Sequence, residues 1–175
     1  MPFARGIIIK YQFKEYLDFL WELFDKMPKD DGHSKCTILY SIAKLGDSTK
    51  VFNQYISDIW RITNNSEKII KEDYLYKLID YIPLGYQDKK YVDELFKLLD
   101  YIQKNPNKDK KILWQVDSEF GEMYLGLKYI TYSKLVKVVK SPFTIKYDEK
   151  ITEEKVIKLL EWYSENPDYE INKGY

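Results

Sequence analysis

Apolar side chains recur at intervals of three and four residues along most of this 175-residue chain. The clearest run consists of Phe52, Tyr55, Ile56, Ile59 and Trp60, whose spacing puts all of them on one face of an α-helix. Comparable stripes lie within residues 17–24, 38–45, 70–82, 92–102 and 156–163. Because each stripe has to be buried against a neighbouring element, the chain is predicted to be mainly α.

The residues between these stripes are ones that end or begin helices. Pro28, Pro83 and Pro106 are expected to end helices, because proline cannot continue the backbone hydrogen-bonding pattern. Gly46 suits a helix C-terminus, and Thr152 suits a helix N-terminus. The breaks divide the chain into about six to eight helices.

We therefore predict one helical domain, residues 1–175, with a bundle-like arrangement of helices and one or two short strands. The strands are expected at 6–13 (GIIIKYQF) and 143–147 (FTIKY), where β-branched and aromatic residues dominate. A weak subdivision is expected near 106–111, a polar loop. A chain of this length buries enough surface to fold without disulfides or metals.

The last third of the sequence is harder to interpret. Residues 112–116 suit either a strand or the start of a helix, and we leave the alternatives open. A helix capped by Asp117 or Ser118 is expected to run to about Tyr129. Another helix is expected over 133–140 (SKLVKVVK), because at 100° per residue its lysines fall on one side and its apolar residues on the other.

The composition limits the function classes. Lys and Arg number 28, as do Asp and Glu, so the basic excess usual in nucleic-acid-binding proteins is absent. A chain with no net charge repels its own copies weakly, which favours association. No stretch approaches the apolar length of a membrane span, and Met1 to Phe13 has no signal-peptide core. We expect a cytoplasmic protein.

Few residues suited to catalysis or metal binding are present. His33 is the only histidine and Cys36 the only cysteine, so His- and Cys-based metal spacings are absent. A metal at Asp30, Asp31 and His33, or a nucleophilic Cys36 activated by His33, is a minor alternative. Phosphate-loop, dinucleotide-binding and nucleophile-elbow motifs are also absent. We predict no catalytic, cofactor-binding or metal-binding residue, and favour a protein that is not an enzyme.

One segment combines basic and aromatic residues. Five lysines and no acidic residue lie between Glu122 and Asp148, with aromatic residues among them. Lysines beside aromatic rings can hold phosphates and stack bases. The candidate nucleic-acid or partner patch consists of Lys128, Lys134, Lys137, Lys140, Phe143, Lys146 and Tyr147. The simpler interpretation is an amphipathic helix with a solvated lysine face.

Two functions follow as hypotheses. The first is a small, non-enzymatic interaction or regulatory subunit that binds another protein, in a hetero-complex or a homo-oligomer. The alternative is an accessory nucleic-acid-binding subunit that uses the patch within 128–147. The first is favoured because chemistry-bearing motifs are absent and the total charge is balanced.

Overall fold

A computed structural model describes residues 14–70, 73–86, 88–115, 122–146 and 150–172. The α-helices within these ranges are α1 (Leu17–Lys26), α2 (Gly32–Ile42), α3 (Ser48–Asn64), α4 (Asp73–Tyr86), α5 (Lys89–Lys104), α6 (Leu127–Val138) and α7 (Glu153–Glu165). The strands are β1 (Ile69–Ile70), β2 (Lys111–Gln115) and β3 (Glu122–Gly126). The prediction of a mainly α, bundle-like fold with a few short strands is confirmed.

The first helices follow the sequence signals closely. α1 ends before Pro28, and the Asp31 carboxylate caps α2 by accepting a hydrogen bond from the Ser34 amide at 3.1 Å. A π-helical turn (Ala43–Asp47) joins α2 to α3, and Gly46 within it has a φ of 111°. Only glycine adopts that conformation without strain, so the predicted helix break at Gly46 is confirmed.

Two helix boundaries differ from the prediction. Ile70, the first residue of the predicted helical stripe 70–82, instead lies in β1, and α4 begins at Asp73. α4 also continues past Pro83 to Tyr86, although proline removes one hydrogen bond from the helix. α7 is capped as predicted, because the Thr152 hydroxyl accepts from the Lys155 amide at 3.4 Å.

The strands form a single sheet in the order β1-β2-β3. β1 pairs with β2 in parallel, and β2 pairs with β3 in an antiparallel register that matches Lys111 with Gly126. Of the ambiguous residues, 112–115 are thus strand, and residues 116–121 lie outside the described ranges. The helix predicted from Asp117 or Ser118 to Tyr129 is wrong over 122–126, because cross-strand pairing there satisfies the backbone groups instead.

The strand predictions at 6–13 and 143–147 have different outcomes. Residues 6–13 lie outside the described ranges, as does Tyr147. Residues 143–146 have no regular structure, so the second strand is wrong over those residues. Phe143 and Ile145 instead pack against the hydrophobic core, which explains their apolar character without a strand.

The helices and the sheet share one hydrophobic core. It includes Leu20 and Phe24 of α1, Ile112 of β2 and Leu159 of α7. Side chains from both sides of the 106–111 loop therefore meet in the same core. The extent of the domain over 1–175 stays a prediction, since part of that range lies outside the described residues.

α7 and the segment after it are fixed to α5. The Asp93 carboxylate accepts hydrogen bonds from the hydroxyls of Tyr163 at 3.0 Å and Tyr169 at 2.8 Å. The Tyr163 ring stacks on Phe96 with centroids 3.9 Å apart. Burial together with the hydrogen bond to Asp93 raises the pKa of Tyr163 to about 12, so this hydroxyl stays protonated at neutral pH.

Candidate interaction surface

The lysine at the centre of the predicted patch is part of the core. Lys134 is 6% exposed, and its Nζ donates to the Asp80 carboxylate of α4 at 2.7 Å. Burial lowers the pKa of Lys134, while the hydrogen bond to Asp80 opposes that change. The prediction of a solvated helix face that holds Lys134 beside Lys137 and Lys140 is therefore wrong. The helix runs over Leu127–Val138 rather than 133–140, and Lys134 is one of its buried residues.

Two further residues of the patch contact α7 or the residues that follow it. Lys140 lies beyond the end of α6, where its Nζ pairs with the Glu170 carboxylate at 2.5 Å. The Phe143 ring is half-buried and meets Trp162 edge-on, with centroids 6.4 Å apart. Lys140 stays exposed, since the ion pair is at the surface and weak in water, but Glu170 places a negative charge beside it. The Phe143 ring is partly taken up by Trp162 and is less available to stack on bases.

The other patch residues are more accessible. Lys137 and Lys146 are exposed, and Lys128 is half-buried at the start of α6. Tyr147 lies outside the described residues. The structure therefore leaves a smaller set of accessible lysines than the sequence suggested, and nucleic-acid binding stays an untested hypothesis for them.

The sequence candidates for catalysis do not share an accessible site. Cys36 is buried, at 4% exposure, whereas His33 is exposed on the same helix. A nucleophilic thiol has to reach its substrate, and Cys36 lies within the core. Within the described residues, no group of three or more His, Cys, Asp or Glu side chains is arranged to hold a metal ion.

α1 is held firmly by its inner face. Leu20, Trp21 and Phe24 are buried, and the Trp21 Nε1 donates to the Asp47 carboxylate at 2.9 Å. The buried Lys35 donates to the Phe24 carbonyl oxygen at 2.9 Å, near the end of the helix. These contacts fix the helix in position and determine which of its side chains face outward.

The outer flank of α1 is apolar. Phe19 is 50% exposed and Tyr16 is 42% exposed, one helical turn apart. Leu23 and Met27 continue the same line and are partly buried against the core. Tyr16 ends the 3₁₀ turn (Lys14–Tyr16) before α1, and Met27 directly follows the helix. The spacing of three or four residues between these side chains keeps them adjacent along one flank. We call this set the α1 stripe.

Acidic side chains border the α1 stripe. Glu15, Asp18, Glu22 and Asp25 are exposed. Glu22 pairs with Lys26 at 2.5 Å, which lowers the pKa of Glu22 through a hydrogen bond and charge attraction. For Glu15 and Asp18, no ion pair is formed with the part of the chain that the structure describes. The surface thus combines exposed rings with uncompensated negative charge.

The sequence contained a weak signal for this surface. The helical stripe used to predict α1 was Leu17, Leu20, Trp21 and Phe24, and Phe19 lies outside it. An apolar residue off the buried face of a well-defined helix is a candidate contact residue. A single exposed apolar residue is ordinary, however, so the structure was needed to show that Tyr16 lies on the same flank.

The described residues also contain a buried amine with no hydrogen-bond partner. Lys110 precedes β2 and is 4% exposed, and its Nζ makes no hydrogen bond within the described ranges. Burial lowers the pKa of Lys110, and the nearby charge of Lys108 adds to this, whereas Glu67 opposes it. An unpaired buried ammonium is unfavourable, so Lys110 has a cost in stability.

Helices that are both long enough and apolar enough to cross a bilayer do not occur in the described ranges. Comparison with protein-family models, curated proteins and solved structures found no match to this chain.

Proposed function

We propose that this protein is a small, non-enzymatic interaction subunit that binds another protein through the α1 stripe. The supporting observation is that Tyr16 and Phe19 are large apolar side chains, 42% and 50% exposed, on one flank of a rigidly held helix. Exposed aromatic residues on a fixed element are typical of the residues that dominate binding energy at interfaces. We also propose that the protein is cytoplasmic.

Among the described residues, the other exposed large hydrophobic side chains do not form such a surface. Ile69 and Ile157 are each 42% exposed and lie on different elements, β1 and α7. Isolated exposed apolar residues are common in monomeric proteins. The α1 stripe is distinguished by having two such residues within one helical turn.

Nucleic-acid binding through residues 128–147 is less well supported than protein binding through the α1 stripe. Lys134 is buried in an ion pair, and Lys140 pairs with Glu170. Lys134 is thus unavailable to release counterions from a nucleic acid, the release that drives such binding, and Glu170 adds a negative charge beside Lys140. The balance of 28 basic and 28 acidic residues points the same way.

The test is an affinity purification of tagged protein from native cells, with and without nuclease. The wild type is compared with the double variant Tyr16→Ala/Phe19→Ala and with the control Ile157→Ala. We expect a stoichiometric protein partner that survives nuclease and is retained by I157A. The double variant should lose at least roughly tenfold of that partner, since removal of central aromatic contacts is costly.

Two results would contradict the proposal. One is a partner that the double variant retains as well as the wild type does. The other is bound material that disappears after nuclease treatment, which would favour the nucleic-acid alternative and direct mutagenesis to Lys128, Lys137 and Lys146.

A further inference from the structure

Several aromatic rings of this protein are covered by its own lysines. The Nζ of Lys50 lies 4.3 Å from the ring centroid of Trp21, and that of Lys89 lies 4.3 Å from the ring of Tyr169. A cation over a ring face is attracted by the negative charge of the π system. Phe19 receives no such cation from the residues described here, although half of its surface is exposed.

The side chains around Phe19 carry negative charge. Glu15 lies in the 3₁₀ turn (Lys14–Tyr16) that leads into α1, four residues before Phe19, a spacing that keeps the two side chains on the same flank. Asp18 precedes Phe19 directly and so points about 100° further round the helix, and both carboxylates are exposed. Glu22 follows one turn later but is already paired with Lys26. Phe19 is therefore a half-exposed ring at the border of an acidic surface, in which Glu15 and Asp18 form no ion pair with the described residues.

We propose that the occupant of the α1 stripe is a basic segment of a partner protein that places an arginine on Phe19. A guanidinium group stacks on an aromatic face and can pair with a carboxylate at the same time, whereas a lysine ammonium acts as a point charge. Glu15 and Asp18 supply the carboxylates, and Tyr16 and Leu23 contact the apolar stem of the partner residue. This inference rests on the proposed function and specifies the chemistry of its partner.

The experiment uses the full chain with p-benzoylphenylalanine in place of Phe19, and a control chain with the same photoreactive residue in place of Ile157. Cross-linked peptides from native cells identify the partner and the segment that contacts position 19. Binding of the purified partner is then measured with the wild type, with Glu15→Gln/Asp18→Asn, and with Glu161→Gln/Glu165→Gln. The last variant removes two exposed acids of α7 as a matched control.

The expected result is a cross-link at position 19 to a segment that contains arginine. The affinity should fall roughly fivefold in E15Q/D18N, remain unchanged in E161Q/E165Q, and weaken as salt is raised. A cross-linked segment without arginine, or an affinity that E15Q/D18N leaves unchanged, would overturn this inference while the proposed function stands. Absence of a cross-link at position 19 above the level at position 157 would overturn both.

Discussion

α1 and the segment 128–146 both mix aromatic and charged side chains, but the fold uses them differently. In 128–146, some of the residues that suggested a binding patch contact other parts of the chain, as Lys134 does with Asp80 and Lys140 with Glu170. Phe19 of α1 and Tyr16, directly before α1, remain outside the core. The comparison teaches that a charged and aromatic segment indicates a binding surface only when the rest of the fold leaves it uncovered.

The largest test of this difference is Lys134. Replacing Lys134 with Ala should lower the free energy of unfolding by about 2–3 kcal/mol, because packing is lost and Asp80 is left unpaired. Lys134→Met keeps the apolar stem but also leaves Asp80 unpaired, so it should lower the free energy of unfolding by about 1–2 kcal/mol, less than K134A does. Urea denaturation measures both, with Lys137→Ala as the exposed control. Equal stability of K134A and K137A would show that Lys134 is not buried in solution.

Phe143 should be the next most sensitive position. Phe143→Ala removes an edge-on contact with Trp162 and is expected to lower the free energy of unfolding by about 1–2 kcal/mol, since the ring is half-buried. Thermal unfolding monitored by tryptophan fluorescence is suitable, because Trp162 is itself the neighbour. A neutral effect would return Phe143 to the set of surface residues available for binding.

The N-terminus of α6 provides a third test. The Asp109 carboxylate accepts a hydrogen bond from the Lys128 amide at 2.8 Å, and a negative charge is favourable at that end of a helix. Asp109→Ala should therefore lower the free energy of unfolding by about 1 kcal/mol. Chemical denaturation at low and high salt should show a smaller loss at high salt, and a loss independent of salt would indicate a purely geometric role.

Replacing Lys110 should raise the free energy of unfolding rather than lower it. Lys110→Met replaces the unpaired buried amine with an apolar chain and should raise the free energy of unfolding by about 1 kcal/mol at neutral pH. Because the pKa of Lys110 is lowered in the fold from 10.5, the unfolded chain binds more protons as the pH approaches 10.5. The stability of the wild type should thus rise over that range relative to K110M. If the stabilities of the wild type and K110M changed in parallel with pH, the burial of the Lys110 amine would be contradicted.

The smallest effect is expected at Phe19. Phe19→Ala should change the free energy of unfolding by less than about 0.5 kcal/mol, because the ring is half exposed and α1 is held by Leu20, Trp21 and Phe24. Stability and partner binding should therefore separate at this residue. A large loss of stability in F19A would remove the distinction between α1 and 128–146.

Much of the fold could be predicted from the sequence, because helical periodicity is a local property. The stripes at 52–60 and 92–102 and the break at Gly46 correspond to α3, α5 and the α2–α3 turn. The β2–β3 hairpin could not be predicted with the same success, because pairing across strands depends on non-local contacts. Within 122–126, the same residues were compatible with a helix until their partners were known.

The candidate surface was harder to predict than the fold. Periodicity placed Lys134, Lys137 and Lys140 together, but the burial of Lys134 depends on Asp80, which is 54 residues away in the chain. The exposure of Phe19 likewise depends on which flank of α1 the neighbouring elements leave open. Local patterns thus predicted which residues are helical, whereas long-range packing determined which of them are accessible.

The position of Asp109 has a consequence for cooperativity. Asp109 precedes β2 and caps a helix that follows β3, while the Leu127 amide donates to the Lys110 carbonyl oxygen at 2.8 Å. The first turn of α6 therefore loses its cap whenever the hairpin separates at this end. In native-state hydrogen exchange, the amides of Lys128 and of β2 should open as one unit, with a common free energy and a common response to denaturant.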